Sequence, residues 1–294
     1  MKLGLNLLNF GPGATPHRIK GWAQFAEDHG LHALMISDHV GVTPDVQAQY
    51  PAPFYDPFTT LAWIAGFTQS IELGTTVAIL PYRHPLNLAR VVSNLDQLSG
   101  GRFILGVGVG WAKQEFEALG IPFHRRGAIA NEYLDVIRRY WTNDSITCNG
   151  QTVFTAPATI RKPHPPIWVG GSSDAAMRRA VLFGDAWHPI RIRLSWIKDA
   201  LPRLEAIADR EGRPVPAFCP RIKLQLTNSE LTEGERVAGT GSLHQIRRDL
   251  DELRALGAQY VVFDTYHGNP ETTAHPERDQ AMISTIVNQF RKAL

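Results

Sequence analysis

Short apolar runs alternate along the chain with longer stretches in which apolar positions recur every three or four residues. The runs predict buried strands, and the stretches predict amphipathic helices. Strands are expected at Leu3–Leu8, Ala33–Ser37, Ile71–Leu80, Phe103–Val109, Ile167–Val169, Ala186–Ile190, Arg221–Leu226 and Tyr260–Phe263. The first helix turns Trp22, Phe25 and Ala26 to one side, and the second spans Phe58–Phe67. Later helices use Leu88, Val92, Leu95 and Leu98, then Ile129, Tyr133, Ile137 and Tyr140. A helix capped at Ser172 or Ser173 follows, then one on Leu201, Leu204 and Ala208, whose start Pro202 leaves open. Met282, Ile286 and Phe290 mark the last.

Punctuation agrees with this reading. Gly30, Gly100–Gly101, Gly184 and Gly257 stop helices, and Pro85 opens one. Ser242 and Gln245 have the spacing of a capping box. Eight strand–helix units in strict alternation imply a parallel sheet, and that number favours closure. The expectation is an α/β fold, a single-domain (β/α)8 TIM barrel over residues 1–294. Asp144–Pro166, with Pro157, Pro163, Pro165 and Pro166, forms an insertion before strand five.

Composition narrows the function. A net charge of +2 over 294 residues argues against nucleic-acid or membrane-surface binding by global charge. Cys148 and Cys219 lack metal or redox spacing and read as reduced thiols. No apolar run approaches ~18 residues, and Met1–Leu8 reads as a strand rather than a leader, so a cytoplasmic protein is expected.

In a barrel, chemistry lies on the loops after the strands. Asp38-His39 follows strand two: a histidine titrates near neutrality, and an adjacent carboxylate could orient or charge it. A solvent-exposed strand-end histidine would have the same sequence. Gly74, in a β-branched strand, suggests a bulge or a harmless irregularity. Gly106, Gly108 and Gly110 strip one face of strand four, leaving room for a bulky ligand or for large neighbours. Gly170-Gly171-Ser172-Ser173 enters a helix and could cradle a phosphate, although an ordinary serine cap explains it equally. Arg83, His84, Lys113, Arg125, Arg126, Arg161, Lys162, Arg191 and Arg193 fall on loops expected at the catalytic face, where they would attract an anion. His84, His164 and His188 each precede a proline and suggest turns. No nucleophile elbow, Walker loop or zinc-binding His-Glu-x-x-His occurs, and no metal is expected.

Four motifs carry a family resemblance. They are Ser37-Asp38-His39-Val40; Leu73–Val77 through Pro81–Pro85; Leu95–Arg102 through Gly106–Trp111; and Pro166–Gly171. In order and spacing the chain resembles the luciferase-like monooxygenase superfamily, in its branch of F-420-dependent oxidoreductases. Beyond about Trp187 the match is in outline only.

The resemblance implies a barrel enzyme, often a homodimer, acting on a small organic substrate with coenzyme F-420 (a deazaflavin) or, alternatively, FMN. It places a tricyclic ring over a bulge at Thr76 and Val77, where relatives hold a cis peptide. Gly108, Gly110, Trp111 and Glu115 would lie beside the ring, with the phosphate on Gly170, Gly171, Ser172 and Ser173. His39 and Asp38 would be catalytic. An FMN monooxygenase and a non-catalytic flavin-binding barrel are the rival readings. Ala186 stands where relatives commonly carry glycine, and Gly41–Tyr55 follows no catalytic pattern and reads as a substrate lid.

Overall fold

The structure is a computed structural model and describes residues 1–234 and 236–291. β1 (Lys2–Leu7) leads to α1 (Pro16–Asp28), β2 (Ala33–Ile36), a short α2 (Pro44–Gln47) and α3 (Pro57–Ala65). β3 (Glu72–Thr75) and β4 (Ala78–Ile79) precede α4 (Pro85–Leu98), β5 (Phe103–Gly108), α5 (Lys113–Ala118) and α6 (Arg126–Thr142). A hairpin of β6 (Ser145–Cys148) and β7 (Gln151–Phe154) comes before β8 (Ile167–Gly170), α7 (Asp174–Phe183), β9 (Ala186–His188) and α8 (Leu194–Glu211). β10 (Ala217–Phe218), β11 (Arg221–Lys223), β12 (Gln225–Leu226), β13 (Thr240–Gly241), α9 (Leu243–Ala255), β14 (Tyr260–Asp264) and α10 (Pro276–Arg291) follow.

The main sheet runs β10-β9-β8-β5-β3-β2-β1-β14-β11, with β4 also on β5, and its strands pair in parallel. Its two ends are halves of one strand. Arg221 N–H bonds the Pro189 carbonyl at 2.8 Å on one side, and Val262 N–H bonds the Pro220 carbonyl at 2.9 Å on the other. Pro220 has no N–H to donate, which splits this strand in two. The sheet therefore closes, and the expected barrel is present.

Side-chain alternation divides the barrel into two layers. Leu34, Ile36, Phe103, Leu105 and Val107 face outward onto the helices in the large outer core. Ala33, Met35, Ile104, Trp168, Ala186, Cys219 and Val262 point inward and plug the amino end. The inward parity continues upward to Asn6, Gly106, Gly108, His188, Arg221 and Asp264. The interior thus changes from apolar to polar toward the carboxyl ends, where the loops gather.

Several boundaries depart from the periodicity. The long third strand divides at Thr76–Val77, whose peptide is cis. Strand seven begins at Ala217 rather than Arg221, because Pro214, Pro216 and Pro220 mask its apolar signal. Leu98, assigned to the buried face of α4, is 69% exposed at the helix end, whereas Leu88, Val92 and Leu95 are buried. Pro202 lies inside α8, one turn or more past its start at Leu194. The Ser242–Gln245 capping box is formed reciprocally.

Candidate active site

At the carboxyl end of the barrel a cavity of about 260 Å³ opens, lined by Asp38, His39, Thr76, Val77, Gly108, Gly110, Trp111, Gly170 and Gly171 among the expected residues. Glu115, Ser172 and Ser173 do not line it. The volume is just below the roughly 300–1,000 Å³ usual for small-molecule sites. It suits a flat ring better than a whole nucleotide, so any phosphate would sit outside the cavity.

His39 lies just past β2 and is 7% exposed. Its carboxylate partner is not Asp38. Neighbouring residues of an extended segment project to opposite sides, and Asp38 turns away. It accepts from Arg83 Nη1 at 2.6 Å and Nη2 at 2.9 Å, and from the Ile79 amide at 2.9 Å. Burial would lower the Arg83 guanidinium, but Asp38 and Asp56 more than reverse this; burial pushes the Asp38 carboxyl up, and Arg83 and the Ile79 amide offset that only in part. Asp38 anchors the β4 segment and does not orient His39.

The orienting carboxylate is Glu115, delivered from α5 and fully buried. Its Oε2 lies 2.6 Å from His39 Nδ1, and Tyr82 Oη donates to the same oxygen at 2.8 Å. The amides of Val40 (2.6 Å) and Gly41 (2.9 Å) donate to Oε1. Burial pushes the Glu115 carboxyl up, and His39, Gly41 and Tyr82 together pull it below the usual range. Burial and the Glu115 charge hold the Tyr82 phenol far above its usual value, so it remains a donor. An ionised Glu115 accepts a hydrogen bond from Nδ1–H, which leaves Nε2 as the ring nitrogen able to exchange a proton.

The space that the bare face of β5 leaves is taken by neighbouring protein, although Gly108 still lines the cavity. A Cβ at Gly106 would stand 1.8 Å from the Thr75 carbonyl oxygen, and one at Gly108 would stand 2.6 Å from Val77 Cγ2. Gly74 likewise yields to Ile104 and Met35. Val77, raised on this clearance, is the ridge on which a flat ring could rest. Thr76 behind it is held by His188, whose Nε2 lies 2.8 Å from Thr76 Oγ1, and by Arg221 Nη1, 2.8 Å from the Thr76 carbonyl. His188 is not in a turn: it ends β9, wholly buried, and burial lowers its pKa to about 4.

The segment after β2 folds over the site. Tyr50, Phe54 and Trp111 surround the His39 ring at centroid distances of 5.7, 5.3 and 5.7 Å. Asn9 Nδ2 donates to the Ser37 carbonyl at 2.9 Å and to the Tyr55 carbonyl at 2.7 Å, tying the two ends of this segment together. Asp45 and Gln114 exchange hydrogen bonds between α2 and α5. Tyr50, Ile190, Arg221 and Asp264 line the cavity although sequence reasoning did not nominate them as site residues. Arg221 and Asp264 could have been found, since both are charged residues in barrel strands.

The basic loops are less uniform than expected. Lys113, Arg125, Arg126, Arg191 and Arg193 follow β5 or β9 and lie at the catalytic face. Arg161 and Lys162 precede β8, at the opposite end, where Arg161 pairs with Glu72 at 2.5 Å. The Arg83 charge is consumed by Asp38 and Asp56.

At the mouth, Gly170 ends β8, Ser173 caps α7 by accepting from the Ala176 amide, and Trp187 Nε1 fixes the Gly171 carbonyl at 2.8 Å. Gly171, Ser172 and Ser173 are exposed, so this helix start is open to a ligand.

Barrel closure, the split third strand, the glycine-lined β5 and the histidine after β2 together define a luciferase-like oxidoreductase scaffold. Residues 1–287 match the luciferase-like monooxygenase family, and the chain belongs to it. Rv0953c of Mycobacterium tuberculosis, an uncharacterized protein, is 30% identical over 73% of this chain and 82% of its own length. Rv3520c of the same organism, provisionally assigned as a coenzyme F420-dependent oxidoreductase, is 31% identical over 65% of this chain and 55% of its own.

Among solved structures, the F420-dependent tetrahydromethanopterin reductase of Methanopyrus kandleri superposes with a TM-score of 0.73 at 18% identity, covering 98% of this chain and 99% of that one. The FMN-bound oxygenating constituent of 3,6-diketocamphane monooxygenase from Pseudomonas putida gives 0.72 at 17%, covering 98% and 97%. These likenesses establish the fold. No helix among the described residues is long and apolar enough to cross a membrane.

Proposed function

We propose that this protein is a coenzyme F-420-dependent oxidoreductase that exchanges hydride with a small organic substrate, with His39 moving the accompanying proton. The observation that carries this reading is the buried His39–Glu115 pair at the edge of a cavity floored by Val77. A deazaflavin, when bound, supplies the hydride chemistry. The protein's part is to position and to protonate.

Thr76 and Val77 would support the ring, flanked by Gly108, Gly110 and Trp111. The amides of Gly170, Gly171, Ser172 and Ser173 would take the phosphate at the start of α7. His39 Nε2 holds or releases a proton toward the substrate, and Glu115 stabilises the imidazolium through Nδ1. Tyr50, Phe54 and Trp111 keep water from that proton. Asp38 acts as a positioning residue through Arg83.

The similarity to Rv3520c and to F420-dependent folds supports the cofactor choice. The FMN-dependent monooxygenase is the second reading, supported by the FMN-bound structure of the same fold. We further propose a single-domain cytoplasmic homodimer, without nucleic-acid or membrane partners. Trp63 on α3 and Leu98 on α4 offer apolar surface for a second copy.

The test is deazaflavin oxidation or reduction, followed by absorbance, with a panel of small alcohols and carbonyl compounds. His39→Ala should retain cofactor affinity and lose at least ~10²-fold in rate, the usual scale for general acid–base catalysis. An unchanged rate would remove His39 from the mechanism.

A further inference from the structure

The cavity also carries, along its lining, charge that the proposed hydride chemistry leaves unassigned. Arg221, Arg191 and Asp264 line it, and Lys223 stands directly behind. Asp264 Oδ2 accepts from Arg221 Nε and Nη2 at 3.2 and 2.9 Å and from Lys223 Nζ at 2.8 Å. Its Oδ1 accepts from Asn6 Nδ2 at 3.3 Å and from the Tyr266 amide at 3.1 Å. Both oxygens are therefore occupied. Lys223 also donates to the Tyr266 carbonyl. Burial pushes the Asp264 carboxyl up, yet Arg221 and Lys223 pull it far below its usual range.

One carboxylate thus serves two buried cations, with a third nearby. Burial lowers the Lys223 ammonium, and the charges of Arg221 and Arg191 lower it further against the pull of Asp264. Asp279, the next carboxylate, is hydrogen-bonded to Thr265 and faces Arg278 and His267. Among the described residues Arg191 has no ion-pair partner, and its one polar side-chain contact is Tyr50 Oη at 3.5 Å. Its backbone is left-handed, at φ 53°, a conformation uncommon for a residue with a side chain. Arg221 and Lys223, largely shielded from solvent, share one counterion, and such an excess is costly unless something anionic completes it; Arg191, itself exposed, adds a further positive charge beside them.

We propose that the substrate carries a carboxylate-like anionic group bound by Arg191 and Arg221, with an apolar or aromatic body against Tyr50 and Trp111. This rests on the oxidoreductase reading and extends it to substrate class. The anion is assigned to the substrate rather than the cofactor because Arg191 contacts Tyr50, whose ring packs beside that of His39. The phosphate cradle lies elsewhere, at the start of α7.

Benzoate and its neutral isostere benzamide serve as probes, measured by equilibrium binding to the full chain with and without bound cofactor. Benzoate should bind at least ~10-fold more tightly, and added salt should reduce that preference. Arg191→Gln should abolish it while leaving F-420 and FMN affinity within about twofold. Arg221→Gln exposes Asp264 to losing a partner and could unfold the barrel, so Arg191→Gln is the deciding variant. Equal binding of the two probes overturns the proposal. So does a tenfold loss of cofactor affinity in Arg191→Gln with benzoate preference intact, which would assign the anion to the cofactor. Failure of both F-420 and FMN to bind would sink the oxidoreductase reading instead, and the benzoate preference is scored separately from it.

Discussion

At the scale of single residues, the site is a set of exchanged partners. Sequence adjacency suggested Asp38 for His39, but alternation along an extended segment sends them apart, and Glu115 arrives from 76 positions away. Glu115→Gln keeps the shape and removes the charge that stabilises a protonated His39. Turnover should fall by ~10-fold or more, with its pH profile displaced, while cofactor affinity holds. An unmoved profile would make Glu115 merely structural.

His188 gives a stability prediction. Its buried imidazole has a pKa of about 4 against 6.5 for the free group. Between those values the unfolded chain takes up a proton that the folded chain refuses. Stability is therefore lost as pH falls from 6.5 toward 4, by up to roughly 3 kcal/mol. Urea unfolding at pH 7.5 and pH 5 should reveal a larger loss for the wild type than for His188→Gln. Equal losses would mean that His188 does not resist protonation in the fold.

At the scale of elements, β5 and the split third strand act as one device. Gly108 is bare because Val77 fills the space. Gly108→Ala should cost ~1–3 kcal/mol by overpacking, and Val77→Ala in the same chain should recover part of it. A double-mutant cycle measures the coupling. Strict additivity would separate the two positions.

The α7 start makes a different prediction. Ser172→Asp places a carboxylate on an exposed residue of the proposed phosphate cradle. It should erase the preference for FMN over phosphate-free riboflavin in binding titrations, and a retained preference would move the phosphate elsewhere.

Much of this element order was legible in the sequence. Hydrophobic periodicity gives the eight barrel positions, and glycines and capping residues mark their ends. The glycine motif before β5 also has a local cause: Gly100 and Gly101 take φ of 68° and 81°, and Arg102 beside them donates to the carbonyls of Ala65, Thr68 and Ile71. The start of strand seven at Ala217 escaped because its prolines resemble a loop. The clearance for Val77 escaped because a missing side chain does not reveal what fills its place. The Glu115 contact and the Asp264 cluster escaped for one reason: they join segments far apart in sequence, and composition carries no record of which charges meet.

At the scale of the whole molecule, a near-neutral chain concentrates cationic residues at one end of its barrel. Arg161 and Lys162 lie at the other end, so the cationic face is smaller than the sequence suggests. Arg125, Arg126 and Arg193 remain on segments of that face, beyond the pair proposed for the substrate, although Arg125 pairs with Glu132. Coenzyme F-420 adds a lactyl-oligoglutamate chain to its single ring-side phosphate, whereas FMN has no such tail. The face should therefore discriminate between them, and salt should weaken the discrimination because exposed charges are screened within about 10 Å at 0.1 M.

Side-by-side fluorescence titrations of F-420 and FMN at low and high salt test the central claim most directly. F-420 should bind at least ~10-fold more tightly at low salt, a difference of about 1.4 kcal/mol, and the gap should narrow as salt rises. Tighter binding of FMN, accompanied by oxygen consumption driven by a reduced nicotinamide, would contradict the account and make the protein a monooxygenase.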